Sequence, residues 1–418
     1  MKVRGTVRVP GDKSISHRAL ICASLATGES RVRGLLLSDD VLSTASVLRQ
    51  LGVAMPDLSN DITVAGSGLR GFVAPRLALQ CGNSGTTVRL IAGVAAAQSF
   101  ESRFEGDASL SRRPMQRIAE PLTAMGASFE FDHEDGLPMT VHGGSLSGIA
   151  WNTRAASAQT KSAVLLAALA GGVQVSVRES GKSRDHTERM LASLGVPVAT
   201  DNLTVTLAPV DVLPPIDISV PADPSSAAYL VALATLATTG EVRLPGVCVN
   251  PTRVGFIALL QRMGGRVRYV GREQGAGEDV ATVVAAPATL RTARVRAGDV
   301  PAMIDELPLL GCVAAAAGIG LEVSGAAELR VKESDRVATL VSNLRAVGAD
   351  AEERRDGFVI RPSSRALSGR VVTRGDHRIA MAFGVLSVLP GNSIEIDDRE
   401  CVSVSYPGFW TDMASLQI

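Results

Sequence analysis

The chain reads Val9-Pro-Gly-Asp-Lys-Ser-Ile-Ser-His-Arg18 where it enters a small apolar segment, Ala19-Leu-Ile-Cys-Ala-Ser-Leu-Ala26. This segment predicts a helix with Lys13 and Arg18 at its N-terminus. The first N–H groups of a helix lack intrahelical partners and its dipole is positive there, so this end favours anions. Two cations and two serines at such a place predict a binding site for phosphate or carboxylate.

The opening segment has a second copy later in the chain, Val220-Pro-Ala-Asp-Pro-Ser-Ser-Ala-Ala-Tyr-Leu-Val-Ala-Leu-Ala-Thr-Leu-Ala237. In this copy Pro224 takes the place of Lys13, and no cation takes the place of Arg18. The residues that the two copies share therefore predict a common scaffold. The cations found only in the first copy predict a function.

Composition limits the classes of protein to consider. With 418 residues, two or three domains are expected, and with 46% hydrophobic but only 3% aromatic residues the core must consist of Ala, Val, Leu and Ile. The 42 basic and 42 acidic residues cancel. This balance argues against a nucleic acid or an anionic membrane as partner, because both call for a basic excess. The predicted anion sites must be local.

The five cysteines are scattered without a Cys-x-x-Cys pair, which predicts neither a disulfide framework nor a zinc site and favours the cytoplasm. The first residues contain no apolar h-region, so no signal peptide is expected. The longest apolar runs, such as Leu309–Leu321, are shorter than the ~20 residues of a membrane-spanning helix. We therefore expect a soluble cytoplasmic protein.

Six similar segments follow one another, each with a small apolar helix, a short strand and a second helix that ends at Gly. The opening helices are predicted to begin near Ser14, Asn83, Ser157, Ser225, Ile304 and His377. The second helices are predicted to end at left-handed caps formed by Gly52, Gly126, Gly195, Gly264 and Gly348. The period of roughly 70 residues indicates internal duplication and an α/β fold with three repeats per half.

Two further local features follow from this pattern. The stretch Arg33-Gly-Leu-Leu-Leu-Ser-Asp-Asp40 predicts a strand followed by an Asp N-cap before the second helix. The proline-rich stretch Val212-Leu-Pro-Pro-Ile216 predicts the crossover between the halves.

Polar and charged residues are concentrated where the repeats of the first half open. Cys81-Gly-Asn-Ser-Gly-Thr-Thr-Val-Arg89 offers N–H and hydroxyl donors beside glycines that let a ligand approach the backbone. Arg113 precedes Pro114, a position that suits a first helical turn and a two-bond grip on a carboxylate or phosphate. Ser157 and Gln159 are neutral donors, and Arg184 precedes a further helix.

The second half supplies carboxylates. Asp305 and Glu306 stand at the head of an apolar run, and the dipole alone explains one of the two. Leu329-Arg-Val-Lys-Glu-Ser-Asp-Arg336 is a dense charged stretch that, taken alone, predicts a solvated surface. Arg378 opens the sixth repeat. Together these residues predict a cleft for small polyanions, and no P-loop, dinucleotide fingerprint or nucleophile elbow is present to indicate ATP, dinucleotide or hydrolase chemistry.

In this order the motifs resemble the 5-enolpyruvylshikimate-3-phosphate synthase family over essentially the whole chain. The motifs are Gly11-Asp-Lys-Ser-Ile-Ser-His-Arg18, Gly82-Asn-Ser-Gly-Thr86, Arg113-Pro114, Ser157-Ala-Gln159, Asp305-Glu306, Arg330-Val-Lys-Glu-Ser-Asp-Arg336 and Asp376-His-Arg378. Each motif alone is weak, but the ordered set is specific.

The resemblance implies a two-domain inside-out α/β barrel of six βαβαββ units, three per domain. The first half would span residues 12–217, and residues 1–11 plus 218–418 would form the second. The implied reaction transfers the enolpyruvyl group of phosphoenolpyruvate to the 5-hydroxyl of shikimate 3-phosphate and releases phosphate, a step of the shikimate pathway. No metal and no organic cofactor are expected, and a monomer without nucleic-acid or membrane partners is implied.

The resemblance also implies roles for single residues. Asp305 would accept the 5-hydroxyl proton, and Glu333 with Lys13 would move the proton at the methylene carbon. Shikimate 3-phosphate would contact Lys13, Ser14, Arg18, Ser157, Ala158, Gln159, Arg184, Asp305 and Lys332. Phosphoenolpyruvate would contact Lys13, Gly85, Arg113, Gln159, Arg336 and Arg378.

Departures from the family pattern refine these expectations. Some members have two adjacent serines where this chain has Ser157-Ala158, so the side chain of Ala158 is given no role, and the bacterial subgroup with the Ser-Ala-Gln pattern is predicted. Val404 stands where some members have lysine and is given no role either. Gly85 leaves more room beside phosphoenolpyruvate than Ala would, which predicts competition by glyphosate at micromolar concentrations.

Two alternatives stay open. The sister enzymes that move enolpyruvate onto UDP-N-acetylglucosamine have a Cys in the loop before their Arg-Pro pair, whereas this loop has Ala108 and no thiol. A non-catalytic phosphometabolite-binding protein on the same scaffold would be expected to lack some of Lys13, Asp305 and Glu333, yet all three are present.

Overall fold

The computed structural model describes residues 1–275 and 277–418. Within them the helices are α1 (Lys13–Leu25), α2 (Asp39–Gln50), α3 (Gly85–Ala96), α4 (Gln116–Met125), α5 (Ala158–Gly171), α6 (His186–Ser193), α7 (Pro224–Leu236), α8 (Gly255–Arg262), α9 (Leu307–Ala317), α10 (Arg336–Ala346), α11 (His377–Ser387) and α12 (Phe409–Ser415). Short 3-10 helices span Leu110–Arg112, Val300–Ala302, Ile304–Glu306, Ala327–Val331 and Glu400–Val404. No helix of the described residues combines the length and the apolar character that crossing a membrane requires.

The chain divides into two compact units. The first unit comprises Gly11–Pro221 with Gln274–Glu278, and the second comprises Met1–Pro10, Ala222–Glu273 and Asp279–Ile418. The proline-rich stretch at 212–216 lies within the first unit. The strand that follows it, Asp217–Ser219, pairs in parallel with Thr27–Arg33, so the predicted crossover at 212–216 is wrong and the chain leaves this unit after Pro221.

The first unit holds three sheets. Its strands are β2 (Thr27–Arg33), β3 (Asp61–Ser67), β4 (Leu79–Gln80), β5 (Glu101–Glu105), β6 (Ser128–Phe131), β7 (Met139–His142), β8 (Ile149–Asn152), β9 (Val175–Arg178), β10 (Val198–Asp201), β11 (Thr204–Leu207) and β12 (Asp217–Ser219). The sheet orders are β12-β2-β3, β4-β5-β7-β6 and β10-β11-β9-β8. Each sheet joins one parallel pair to antiparallel neighbours, so the fold is α/β with mixed sheets.

The second unit repeats this plan in two of its three sheets. Its strands are β1 (Lys2–Thr6), β13 (Thr239–Cys248), β14 (Arg266–Gly275), β15 (Glu278–Ala286), β16 (Ala293–Val295), β17 (Leu321–Val323), β18 (Ala351–Arg354), β19 (Gly357–Ile360), β20 (Ser368–Val371) and β21 (Ser393–Ile396). The orders are β1-β13-β15-β14, β16-β17-β19-β18 and β20-β21. The N-terminal strand β1 runs parallel to β13. Small apolar helices such as α7, α9 and α11 fill the core of this unit.

The two copies of the opening segment form matching helices. Both α1 and α7 have 13 residues, and both begin at an aspartate cap, Asp12 with φ −60° and ψ 124° and Asp223 with φ −73° and ψ 121°. Both end at an extended alanine, Ala26 and Ala237. This agreement confirms the predicted common scaffold.

The predicted glycine caps are confirmed because the backbone at all five positions is left-handed, where a Cβ would be strained. The φ angles are +88° at Gly52, +116° at Gly126, +81° at Gly195, +100° at Gly264 and +94° at Gly348.

Three local predictions are wrong. Ser38, not an Asp, occupies the cap of α2, and the stretch from Arg33 to Asp40 is mostly loop because β2 ends at Arg33. Arg113 is extended and precedes α4 by three residues, so it does not lie in a first helical turn.

Candidate active site

The N-terminus of α1 presents Lys13 on a capped helix. The Asp12 carboxylate accepts a 2.8 Å hydrogen bond from the N–H of Ile15, which satisfies one of the orphan donors of the first turn. Lys13 Nζ lies 2.8 Å from Oδ2 of Asp40, a buried residue in the first turn of α2. The Lys13 side chain is 16% exposed, so it is oriented by an ion pair and still partly accessible to solvent.

Arg18 lies about one turn further along α1, and each nitrogen of its guanidinium group donates a hydrogen bond. Its Nε donates to Thr187 Oγ1 at 2.7 Å, and its Nη atoms donate to Ser162 Oγ and to the Ser14 carbonyl, each at 2.8 Å. Burial lowers the pKa of this guanidinium to about 10. The positive charge of Arg184, which belongs to the same unit, contributes in the same direction.

The N-termini of α3 and α5 are joined by hydrogen bonds. A Cβ on Gly93 would lie 2.3 Å from the Ala163 carbonyl oxygen, so the two helix backbones are in close contact. Ser157 caps α5 by accepting from the N–H of Thr160, and Ala158 is the first helical residue. Gln159 accepts a 2.7 Å bond from Arg89 Nη1 and donates a 3.0 Å bond to Thr86 Oγ1.

Gly85 lies against two guanidinium groups at the start of α3. A Cβ on this residue would stand 2.8 Å from Arg89 Nη1 and 3.4 Å from Arg113 Nη1, so no larger side chain fits without displacing them. Arg113 Nη2 donates to Asn83 Oδ1 at 2.6 Å, and its Nη1 donates to the Asn83 carbonyl at 3.3 Å. The loop before α3 thus orients a buried cation.

The second unit contains a cluster of cations and carboxylates around Arg336, whose side chain is 1% exposed. Arg336 Nε lies 2.8 Å from Asp376 Oδ2, and Nη2 lies 2.5 Å from Glu333 Oε2. Its Nη1 lies 3.5 Å from Asp305 Oδ1. Burial lowers the pKa of Arg336, but these carboxylates outweigh it and raise the pKa above its ordinary value. The prediction that this charged stretch is a solvated surface is wrong for Arg336.

Arg378 stands on the other side of Asp305. Its Nη2 lies 3.5 Å from Asp305 Oδ2 and its Nη1 donates to the Asp305 carbonyl at 3.4 Å. Burial lowers the pKa of Arg378, and Asp305 with other neighbours raises it above its ordinary value. A carboxylate that can accept a proton therefore lies between two guanidinium groups that can bind an anion.

Lys332 and Glu333 lie outside the helix that follows them. Lys332 directly follows the 3-10 helix Ala327–Val331, and α10 begins only at Arg336. Lys332 and Arg336 therefore do not share a helix face. Lys332 is half-buried, and burial lowers the pKa of its ammonium.

The structure distributes the predicted site residues over the two units. The first unit holds Lys13, Ser14, Arg18, Gly85, Arg113, Ser157, Ala158, Gln159 and Arg184. The second unit holds Asp305, Lys332, Glu333, Arg336 and Arg378. Among the described residues, no group of three or more His, Cys, Asp or Glu side chains is arranged to hold a metal ion.

Two partners of these residues were missed in the sequence. Asp376 pairs with Arg336 and also accepts from the N–H of Arg378, so it ties the starts of α10 and α11 together. The position of Asp376 directly before a predicted helix indicates a helix cap, but it does not indicate the ion pair with Arg336. Asp40 is marked by its position in a first turn, but its ion pair with Lys13 spans 27 residues and leaves no local pattern.

Comparison with known proteins agrees with the geometry. The family model for EPSP synthase (3-phosphoshikimate 1-carboxyvinyltransferase) matches residues 1–413. The chain is 44% identical to the 3-phosphoshikimate 1-carboxyvinyltransferase of a Sulfurihydrogenibium species, over 99% of this chain and 97% of the relative. It is 46% identical to the enzyme of that name from Acidithiobacillus ferrooxidans, over 98% of this chain and 94% of the relative.

A solved structure of EPSP synthase from Acinetobacter baumannii superimposes with a TM-score of 0.86 at 38% identity, covering 99% of this chain and 95% of that one. Sequence similarity over the whole length and similarity of fold thus point to the same family. The chain belongs to the EPSP synthase family.

Proposed function

We propose that the chain transfers the enolpyruvyl group of phosphoenolpyruvate to the 5-hydroxyl of shikimate 3-phosphate, with release of phosphate, as a step of the shikimate pathway of aromatic biosynthesis. The observation that carries the proposal is the placement of the Asp305 carboxylate 3.5 Å from both Arg336 and Arg378. A base beside two anion-binding groups suits a reaction in which a hydroxyl loses its proton next to an anionic substrate.

Shikimate 3-phosphate is assigned mainly to the first unit. Arg18, fixed by three hydrogen bonds, offers a preorganised guanidinium, and Ser14 lies beside it. Ser157, Ala158 and Gln159 form the N-terminus of α5, which favours a phosphate. Arg184 adds a second cation near Arg18. The assignment also includes Lys13, and from the second unit Asp305 and Lys332.

Phosphoenolpyruvate is assigned to residues of both units. Arg113, Gly85 and Gln159 lie at the start of α3, where the missing Cβ of Gly85 lets two guanidinium groups approach the backbone closely. Arg336 and Arg378 supply two cations from the second unit. Lys13 is the remaining residue assigned to phosphoenolpyruvate. Cations offset the repulsion between two anionic substrates and stabilise charge that develops in the transition state.

The chemistry is an addition followed by an elimination. The 5-hydroxyl oxygen bonds to C2 of phosphoenolpyruvate as its proton passes to Asp305, and the methylene carbon gains a proton from Lys13. The tetrahedral intermediate then loses phosphate from C2, whose leaving oxygen takes up the proton held by Asp305. Glu333 accepts a proton from the methyl carbon, and its return to Lys13 restores both side chains. Each positioned acid or base contributes roughly 10²–10⁴-fold to such steps.

The finer description of the fold is also proposed. An inside-out barrel of six βαβαββ units is supported by six separate sheets in the described residues, five of which combine a parallel with an antiparallel pair. The proposed domain limits, 12–217 and 1–11 plus 218–418, lie within a few residues of those of the two compact units. The Ser-Ala-Gln subgroup, a cytoplasmic monomer, and the absence of cofactor, nucleic-acid and membrane partners complete the proposal.

Glyphosate should compete with phosphoenolpyruvate at micromolar concentrations, because the absence of a Cβ on Gly85 lets the guanidinium groups of Arg89 and Arg113 lie close to this backbone. Unchanged activity at millimolar glyphosate would contradict this expectation.

Phosphate release tests the reaction. We expect release only when phosphoenolpyruvate and shikimate 3-phosphate are both present. Release with UDP-N-acetylglucosamine in place of shikimate 3-phosphate would support the sister activity. Binding of either substrate without turnover would support a binding protein.

A further inference from the structure

A buried charge cluster lies in the first unit, formed by residues that the family motifs do not mark. Lys161 Nζ lies 2.7 Å from Glu179 Oε2 and 2.6 Å from Glu188 Oε1. The three side chains are 1%, 5% and 6% exposed, so an ammonium and two carboxylates are shielded together from water. These three residues form the Lys161 cluster.

The Lys161 cluster joins three elements of the first unit. Lys161 is on α5, two residues after Gln159, and Glu188 is on α6. Glu179 directly follows β9 and starts the loop that runs to α6. The ion pairs therefore connect the proposed phosphate-binding end of α5 to both ends of this loop.

A hydrogen bond extends the cluster to Arg184. The Ser183 hydroxyl donates to Glu179 Oε1, the carboxylate oxygen that Lys161 does not contact. Ser183 is buried, and Arg184 is the next residue. The backbone that carries Arg184 is thus fixed to α5 through Glu179 and Lys161.

A second layer of contacts runs beside the first. Ser162, next to Lys161, and Thr187, next to Glu188, lie 2.7 Å apart through their hydroxyls. Both hydroxyls accept from Arg18. The cluster sets the distance between α5 and α6. It therefore also sets the distance between the two hydroxyls that bind Arg18.

Energetics favour a role other than stability for this cluster. Desolvating charges is costly, and apolar residues of similar size often serve a core as well as a buried ion pair does. Here burial raises the pKa of Glu188, which reflects that cost. Three of the four carboxylate oxygens have a set partner, and Glu188 Oε2 has none among the described residues. A buried polar network of this kind can instead fix one geometry.

We propose that Lys161 is a positioning residue for the phosphate of shikimate 3-phosphate. Through Glu179 and Ser183 it fixes the loop that presents Arg184 relative to the N-terminus of α5. This inference rests on the proposed function, and it adds residues that the family motifs do not mark.

The test is calorimetric titration of shikimate 3-phosphate into the full chain and into Ser183→Ala. The loss of one ordering hydrogen bond should weaken binding about five- to tenfold and leave the KM for phosphoenolpyruvate within about twofold. Ser180→Ala is the matched control, because Ser180 is an exposed serine of the same loop, and it should bind as the wild type does.

A double-mutant cycle separates positioning from general damage. If Ser183 acts through Arg184, then Ser183→Ala should have no further effect in an Arg184→Met background. The same loss in both backgrounds, or no loss in Ser183→Ala, would overturn the proposal.

The variant Lys161→Met/Glu188→Gln tests the ammonium itself. It removes one positive and one negative charge, so the net charge of the cluster is unchanged, and the thermal midpoint checks that the variant is folded. It too should weaken shikimate 3-phosphate without changing the KM for phosphoenolpyruvate, and equal weakening of both substrates would count against positioning. If the wild type binds no shikimate 3-phosphate, the proposed function fails, and this inference fails with it.

Discussion

Helices α1 and α7 share length, capping residue and ending, but they differ in what stands at their N-termini. In α1, Lys13 Nζ reaches Asp40 and remains partly exposed, and Arg18 is bound between helices. At the matched positions α7 has Pro224 and Tyr229. The scaffold is therefore retained in both copies, and the side chains alone make one helix start a cationic site.

The N-terminus of α7 binds a buried arginine of its own unit, Arg253. Arg253 Nη2 donates to Asp223 Oδ1 and to Ser225 Oγ, both at 3.0 Å, and Arg253 is 4% exposed. The aspartate cap of α7 thus also neutralises a buried cation, Arg253. A duplicated helix start can be used either for binding or for internal stability.

The largest difference between the copies should appear in turnover. Lys13→Met should lose at least about 10²–10⁴-fold in kcat, because a positioned proton donor is removed. Steady-state phosphate release measures it, with Lys2→Met on the exposed face of β1 as the control that should keep full activity. Turnover close to wild type in Lys13→Met would refute its role.

The two capping aspartates should contribute unequally to the free energy of unfolding. Asp223→Ala should lower the free energy of unfolding by about 3–5 kcal/mol, because buried Arg253 loses its carboxylate partner and α7 loses its cap. Asp12→Ala should cost less, though at least the ~1 kcal/mol that a lost cap usually costs. Urea denaturation of both variants decides, and equal losses would show that the Arg253 pair contributes nothing.

A pH effect should be confined to the first copy. His17 is fully buried and its pKa is well below its ordinary value, first because of burial and then because of Lys13 and Arg18. The unfolded chain therefore binds a proton below about pH 6.5 that the folded chain does not, and stability falls as the pH falls through this range, by up to ~1.4 kcal/mol per unit. His17→Ala, which introduces the residue of the second copy, should reduce that slope in urea denaturation measured from pH 7.5 to 5. An unchanged slope would contradict the assignment.

The smallest effect is expected at Tyr229. Its hydroxyl is buried and has no hydrogen-bond partner among the described residues, while its ring packs edge-on against Phe409 at 5.7 Å. Tyr229→Phe keeps the ring and removes a polar group that makes no bond, so the free energy of unfolding should change by less than ~1 kcal/mol. Thermal denaturation and turnover should both resemble the wild type, and a large loss in either would reveal a missed partner.

Features set by local sequence were predictable. The common scaffold of α1 and α7 and the glycine caps such as Gly126 depend on backbone angles that neighbouring residues impose. The ordered motifs also identified Asp305, Arg336 and Arg378, which lie together in the second unit.

Features set by distant contacts were not predictable. The stretch before Arg336 resembles a solvated helix face in sequence, yet α10 begins only at Arg336, whose partner Asp376 is 40 residues away. The Lys161 cluster is hidden for the same reason, because its ion pairs depend on how α5, β9 and α6 pack. Local chemistry identified the cations, but only packing shows what fixes them.

Binding of shikimate 3-phosphate to Arg18→Met tests most directly whether the cations of the first copy carry the function. Calorimetry should show a loss of at least about tenfold relative to the wild type, since one hydrogen bond to a charged group contributes about 1.5–3 kcal/mol. The thermal midpoint should confirm that the variant is folded. Binding equal to the wild type in a folded variant would contradict the account.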